Sequence, residues 1–242
     1  MSISRLSLIP LYFVMDHGGE SRNKPGLQKY ASELTLDFNT VNDFLSLSEG
    51  YRKVTRQKMV QDYPFTEERF DNCNQVLCEE GLCGRHYLEV ECLHDVHIGM
   101  AYKRLERKGA GENVTLGQNA VSWALYVSKD KFHAQHKKMI HNLRLPEIKS
   151  NESYRMFDRT FYRMSIGVFL DWPAGILSFY NISSESDKLT HLYAFHTTFT
   201  EPLYLGLRLQ SPTSTISLIP TVHLSIVFQK VYVPLGGEGE AL

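Results

Sequence analysis

The chain is 242 residues long and carries 26 Lys and Arg against 27 Asp and Glu, a formal charge of -1. So close a balance gives no global attraction to nucleic acid or to an anionic membrane, and no nucleic-acid partner is expected. With 43% hydrophobic, 22% charged and 12% aromatic residues, the composition excludes collagen, coiled coil and extended disorder and allows a substantial core.

Residues 6–15 form a short apolar stretch, broken by Pro10 and followed by Asp16-His17-Gly18-Gly19. It is too short to span a bilayer and lacks a small-residue cleavage site, so neither a membrane span nor a signal peptide is expected. Helix signals are few. The best is Pro25-Gly26-Leu27-Gln28-Lys29-Tyr30-Ala31, one or two turns with Pro25 suited to the first helical position.

Beyond it the recurring period is two. Leu88, Val90 and Cys92 alternate with Tyr87, Glu89 and Glu91, which predicts a half-buried strand. Val96, Ile98, Met100 and Tyr102 repeat the alternation after Leu93-His94-Asp95, so 84–102 is expected to be an antiparallel hairpin. Further strands are expected at 75–78, 122–127, 164–170, 176–181, 191–195 and 203–209, separated by turn signals such as Trp172-Pro173-Ala174-Gly175 and Ser211-Pro212. Many short strands broken this way predict an all-β fold of two antiparallel sheets packed as a sandwich. One domain over 24–218 is expected, with appendages at 1–23 and 219–242. The appendages include a fraying Gly236-Gly237-Glu238-Gly239-Glu240 tail and an apolar run at 222–233, an extra strand or an exposed hazard.

Chemistry-bearing motifs are missing. There is no phosphate-cradling glycine loop, no dinucleotide fingerprint, no nucleophile elbow and no His-Glu-x-x-His, so neither catalysis nor a cofactor is expected. Cys73, Cys78, Cys83, His86, Cys92, His94 and His97 are of the ligand types zinc prefers, but their spacing lacks the tight knuckle of structural sites. Cys78 and Cys92 on strand-like runs read better as small buried hydrophobes, and no metal is assigned. Four cysteines crowded between 73 and 92 do not make a disulfide scaffold, which points to a reducing, cytoplasmic compartment.

His133, His136 and His141 lie among Lys129, Lys131, Lys137, Lys138 and Arg144, a mixture that reads as a solvated loop or edge strand. Lys103, Arg104, Arg107 and Lys108 make a neighbouring positive stretch; it forms either a basic patch for an acidic partner or an ordinary solvated face. The sequons at Asn113, Asn151 and Asn181 read as chance.

Several blocks carry a family resemblance. Leu34-Thr35-Leu36-Asp37-Phe38-Asn39-Thr40, then Leu45-Ser46-Leu47-Ser48, resembles the PRY signature of a Leu-Asp-Pro-x-Thr block before a Leu-x-Leu-Ser strand. Gly84-Arg85-His86-Tyr87-Leu88-Glu89-Val90-Glu91, Trp123-Ala124-Leu125 and Gly167-Val168-Phe169-Leu170-Asp171 resemble successive SPRY strands. From about 26 to 218 the chain is similar to a PRY-SPRY, or B30.2, domain. Its lead-in from His17 to Tyr30 resembles what precedes this domain in fish NOD-like receptors and stonefish-type cytolysins. It departs from the family at Leu88 and Cys92, where the family carries Trp, and at Phe38, where it carries Pro. The segment 140–161 is longer than usual.

The resemblance implies a concanavalin-like jelly roll and a non-catalytic recognition module, innate-immune or scaffolding, that binds a protein or peptide through loops at one end. On that basis Tyr126 and Ser128 line a ligand pocket, with Tyr63, Phe65, Lys103, Arg104, Arg107, Lys108, Leu209 and Gln210 on the same rim and the charges clear of the core. Tyr126 is equally readable as a strand aromatic packed on its neighbours. The alternative function is a fragment of a membrane-acting cytolysin.

Overall fold

The structure, a computed structural model, describes residues 24–129, 131–143, 152–156, 159–183 and 186–220. The expectations for 1–23 and for the 222–233 run lie outside the described residues. A single helical turn, α1 (Lys24–Gln28), opens the described chain and buries Leu27. Among the described residues the remaining regular structure is β.

One sheet runs β1 (Leu45–Ser48), β2 (Lys53–Arg56), β14 (Thr215–Ile219), β4 (Arg85–Leu93), β10 (Arg159–Asp171), β11 (Ile176–Ile182) and β12 (Leu189–His196). A further strand, β9 (Glu152–Met156), pairs with β10. The other sheet runs β3 (Gln75–Leu77), β13 (Leu203–Leu209), β5 (Val96–Tyr102), β6 (Ser122–Val127), β7 (Phe132–His136) and β8 (Met139–Asn142). All the pairings are antiparallel. The long 140–161 segment thus contributes the end of β8, all of β9 and the start of β10.

Alternation decides what the sheets bury. Leu88, Val90, Cys92, Ile98, Met100, Val168, Leu170, Leu177, Phe179, Leu205 and Leu207 meet in one core between the two inner faces. The outer faces are covered unequally. On the first sheet, Tyr87, Phe169 and Tyr180 are buried with Leu27 of α1, and Lys24 reaches Glu89 at 3.2 Å and Asp187 at 2.8 Å. The strand expected to be half-buried is therefore covered on both faces, because α1 folds back over the Tyr87 and Glu89 side.

The expected 84–102 hairpin does not form. β4 pairs with β10 and β14, whereas β5 pairs with β6 and β13, so the chain crosses from one sheet to the other at His94, whose φ is 66°. Periodicity could not reveal this, since either arrangement sends Val90 and Ile98 into the same core. A hairpin does form between β7 and β8, where Lys137 and Lys138 both take positive φ, as a two-residue turn of the I′ kind requires.

Gly175, in the turn between β10 and β11, has φ of 70°, and a Cβ there would run into the Thr197 carbonyl, which accepts no displacement without moving backbone. Gly175→Ala should lower stability by about 2–3 kcal/mol. Urea unfolding measures this as a shifted midpoint at constant slope, and an unchanged midpoint would mean that the turn reshapes freely.

Candidate partner-binding surface

The outer face of the second sheet is built in rows across its strands. One row is Leu77, Gly206, Gly99, Ala124, Gln135 and Ile140. Residues 103–121 fold back over much of it. Leu116 packs with Leu77, Ala101 and Ala124 beside Phe70, and Gln75 anchors the loop by donating to the Val114 carbonyl and accepting from Leu116 N–H. The next row is Gln75, Arg208, His97, Tyr126, His133 and Asn142, and there Arg208, Tyr126 and His133 remain half-buried.

Three rings in that row form a stripe. Tyr126 stacks on His133 with centroids 4.5 Å apart and meets His97 at 4.9 Å. Burial, followed by the Asp95 charge, raises the Tyr126 phenol, so it stays a neutral donor. Ser128 closes the β6–β7 turn through bonds with Lys131, and a cavity of about 170 Å³ opens beside it, lined by Cys92, His94, Asp95, Val127, Lys129 and Met164. Gln210 is exposed nearby, its N–H donating to the Asp95 carbonyl.

The structure thus gathers Tyr126, Ser128 and Gln210 at one end and disperses the other expected rim residues. Leu209 is a core residue. Lys103 and Arg104 lie at the far end of β5, roughly 20 Å from His97 at about 3.4 Å per residue. Arg104 pairs with Glu201 at 2.5 Å. Arg107 is buried over the Phe70 ring, donates to the Leu105 and Lys103 carbonyls and faces Glu68 at 3.7 Å. The expectation that its charge stands clear of the core is corrected: the loop needed a cation to satisfy its own carbonyls. Tyr63 is half-buried against Phe38 and donates to the Leu45 carbonyl. Phe65, 79% exposed, lies under the Lys108 ammonium at 5.2 Å on a separate loop surface.

Of the three histidines expected on a solvated loop or edge strand, His141 does lie on the exposed edge strand β8 and the other two do not. His136 stacks on Trp123 at 4.8 Å and His133 on Tyr126, so both belong to β7, inside the sheet. Sequence reasoning missed His97 and Arg208 as surface-forming residues. The signal was present, since each occupies the outward phase of its own strand, but it becomes a row only once β5, β6 and β13 are paired. Among the described residues no group of three or more His, Cys, Asp and Glu is placed to hold a metal. Burial raises the Cys78 thiol well above its ordinary range and pushes Cys92 up to about 12, as expected of thiols packed as hydrophobes. Leu88 and Cys92, the two departures from the family's Trp, each border a cavity, of about 220 Å³ and 170 Å³.

Comparison with known proteins identifies this architecture. Residues 34–82 match the SPRY-associated (PRY) domain model and residues 85–229 the SPRY domain model. The chain therefore belongs to the PRY-SPRY family, a family of protein-interaction modules. It is 39% identical over 185 residues to stonustoxin subunit alpha of Synanceia horrida, covering 76% of this chain and 24% of that one. It is 34% identical to tripartite motif-containing protein 14 of Mus musculus, covering 79% and 41%. Its fold superposes on a stonustoxin structure with TM-score 0.68 at 32% identity, covering 81% of this chain and 28% of that one. On the crystal structure of the TRIM65 PSpry domain the score is 0.65 at 28% identity, covering 80% and 93%. The chain thus spans about a quarter of the toxin subunit's length.

Burial, reinforced by the charge of Arg208 and the proximity of His133, pushes His97 down to about 3. A histidine with a folded pKa below its unfolded value of about 6.5 contributes stability that is full above 6.5 and is lost as pH falls toward 3. Between pH 7 and pH 5 the protein should lose about 2 kcal/mol more than His97→Gln does. Urea midpoints at the two pH values measure this, and parallel losses would mean that His97 protonates freely in the folded state.

Proposed function

We propose that this chain is a non-catalytic recognition module that binds a protein or peptide through the open end of the second sheet's outer face, with Tyr126 as the anchor. The observation that carries this reading is the half-buried Tyr126, held between His97 and His133 with Ser128 and Asp95 beside its hydroxyl. Rigid aromatic anchors with polar neighbours carry most of the energy at protein interfaces, and a sheet holds this one without the ordering cost of a loop. An innate-immune or scaffolding role in the cytoplasm belongs to the proposal. Similarity to the tripartite-motif proteins and four unpaired cysteines support it.

Affinity purification from cells, followed by titration of the captured partner, tests the reading. Tyr126→Ala should weaken binding by about 2 kcal/mol or more, while the half-exposed position keeps the loss of stability below about 2 kcal/mol. Full affinity in the variant, or a collapse of its melting temperature, would mean that Tyr126 is only a packing residue.

The toxin similarity favours a second reading, a fragment of a membrane-acting cytolysin. Among the described residues no helix is long and apolar enough to cross a membrane. Dye release from liposomes at micromolar protein would support this second reading; intact liposomes would count against it.

A further inference from the structure

Most of the arginines this fold buries have something to hold. Arg69 donates to the carbonyls of Phe38, Val41 and Pro64 and faces Asp43 at 3.3 Å. Arg85 reaches Asp171 at 3.0 Å and the Tyr30 hydroxyl at 3.1 Å, and Arg107 donates to the Leu105 and Lys103 carbonyls of its own loop. Arg208 breaks the pattern. It is half-buried, and among the described residues no carboxylate, carbonyl or hydroxyl meets its guanidinium.

Its surroundings add to the cost. Arg56, half-buried and likewise without a side-chain partner among the described residues, lies close enough to repel it. Gln75, its neighbour on β3, has committed its amide to Val114 and Leu116, and the Cys73 sulfur nearby lies 3.5 Å from the Thr115 hydroxyl. His97, its neighbour on β5, is 2% exposed, and its Nδ1 has no hydrogen-bond partner among the described residues. Two partly desolvated guanidiniums without counter-charge are unfavourable until an anion arrives. Burial has lowered the pKa of Arg208, yet an arginine remains charged at neutral pH.

We infer that Arg208 is the carboxylate-binding element of the recognition surface, and that the partner presents an Asp or Glu side chain to it with an adjacent residue lying on the Tyr126 and His133 stripe. The inference rests on the reading that Tyr126 anchors the partner, and it adds the partner's chemistry. A planar guanidinium takes a carboxylate through two parallel hydrogen bonds, and the incoming charge relieves the repulsion from Arg56. Asp95 fixes the direction. Its carboxylate accepts from Ser211 Oγ at 2.7 Å and faces Tyr126, so it repels an acid at that end and leaves the Arg208 end as the favourable one. Acid recognition thereby moves away from Arg104 and Arg107, which are already paired.

The test pans a displayed library of random twelve-residue peptides against the immobilised 242-residue chain and measures the enriched peptides by fluorescence polarisation. Peptides that lose at least tenfold in affinity to Tyr126→Ala should share an Asp or Glu. Replacing that acid by its amide should weaken binding about tenfold to the unaltered protein and less than twofold to Arg208→Gln. Arg208→Lys, which keeps the charge, should recover part of the loss and serves as the second variant if Arg208→Gln melts early. Peptides that need Tyr126 but carry no acid, or that bind Arg208→Gln unchanged, overturn the inference and leave the Tyr126 reading standing. Failure to enrich any Tyr126-dependent peptide overturns both. Inorganic phosphate is the last arm: displacement of the acidic peptides only at tens of millimolar agrees with a peptide carboxylate. Displacement below one millimolar assigns the site to a free anion instead.

Discussion

The pairing of β4 with β10 is the interaction on which the rest of the structure depends. Nine consecutive residue pairs run from Arg163 opposite Leu93 to Asp171 opposite Arg85, and the ladder ends in the ion pair between those last two side chains. Both strands are flanked on their other edges, by β14 and β11, and β4 is covered on both faces. A one-residue slip would send Leu88, Val90, Val168 and Leu170 to the outer face and bring Glu89 into the core, so burial locks the register. With β4 held between two neighbours there is no edge left for β5, and the chain must turn at His94 into the other sheet.

That forced crossing creates the candidate surface. It starts β5 beside β6 and β13, which aligns His97 with Tyr126 on one side and Arg208 on the other. The loop of residues 103–121 then covers most of the Gly99 row and, beyond its anchor at Gln75, leaves the His97 row uncovered. Gly99 itself marks how close the backbones come, because a Cβ there would run into the Trp123 carbonyl and Ala124. Small residues under the loop and large polar ones beyond it divide the sheet face into a packed half and a presenting half.

Charge is distributed on the same logic. Arg69 and Arg107 serve as internal staples, each satisfying carbonyls that irregular loops cannot pair among themselves. Such groups contribute to folding and are unavailable to a partner. Arg208 and Arg56 stand on regular strands, whose carbonyls are already paired, and among the described residues neither has a side-chain partner. A cation's value for recognition thus depends on whether its backbone surroundings have spare acceptors, a property that a count of Lys and Arg along the chain does not express.

Much was legible beforehand because it rests on local rules. Period-two alternation located β6 and β13 to the residue and most of β3, β10, β11 and β12, since each strand must send every second side chain into the core whatever its partners are. The blocks from Leu34 to Thr40 and from Gly84 to Glu91 marked the family for the same reason, being contiguous in the chain. Strand partners were not legible: Val90 and Ile98 are equally buried in a hairpin and in a crossover, and only the closed sandwich decides between them. The chain by itself determined β3 to β6 and β10 to β13, most of their inward-facing residues and the PRY-SPRY family, while β2, β9 and β14 carried no signal that was read. The tertiary structure alone decided that Arg107 is a staple, that Leu209 is core, and that Arg208, His97, Tyr126 and His133 share one row. Those four come from four strands spread over residues 97–208, and hydrogen bonding across the sheet is what makes them neighbours.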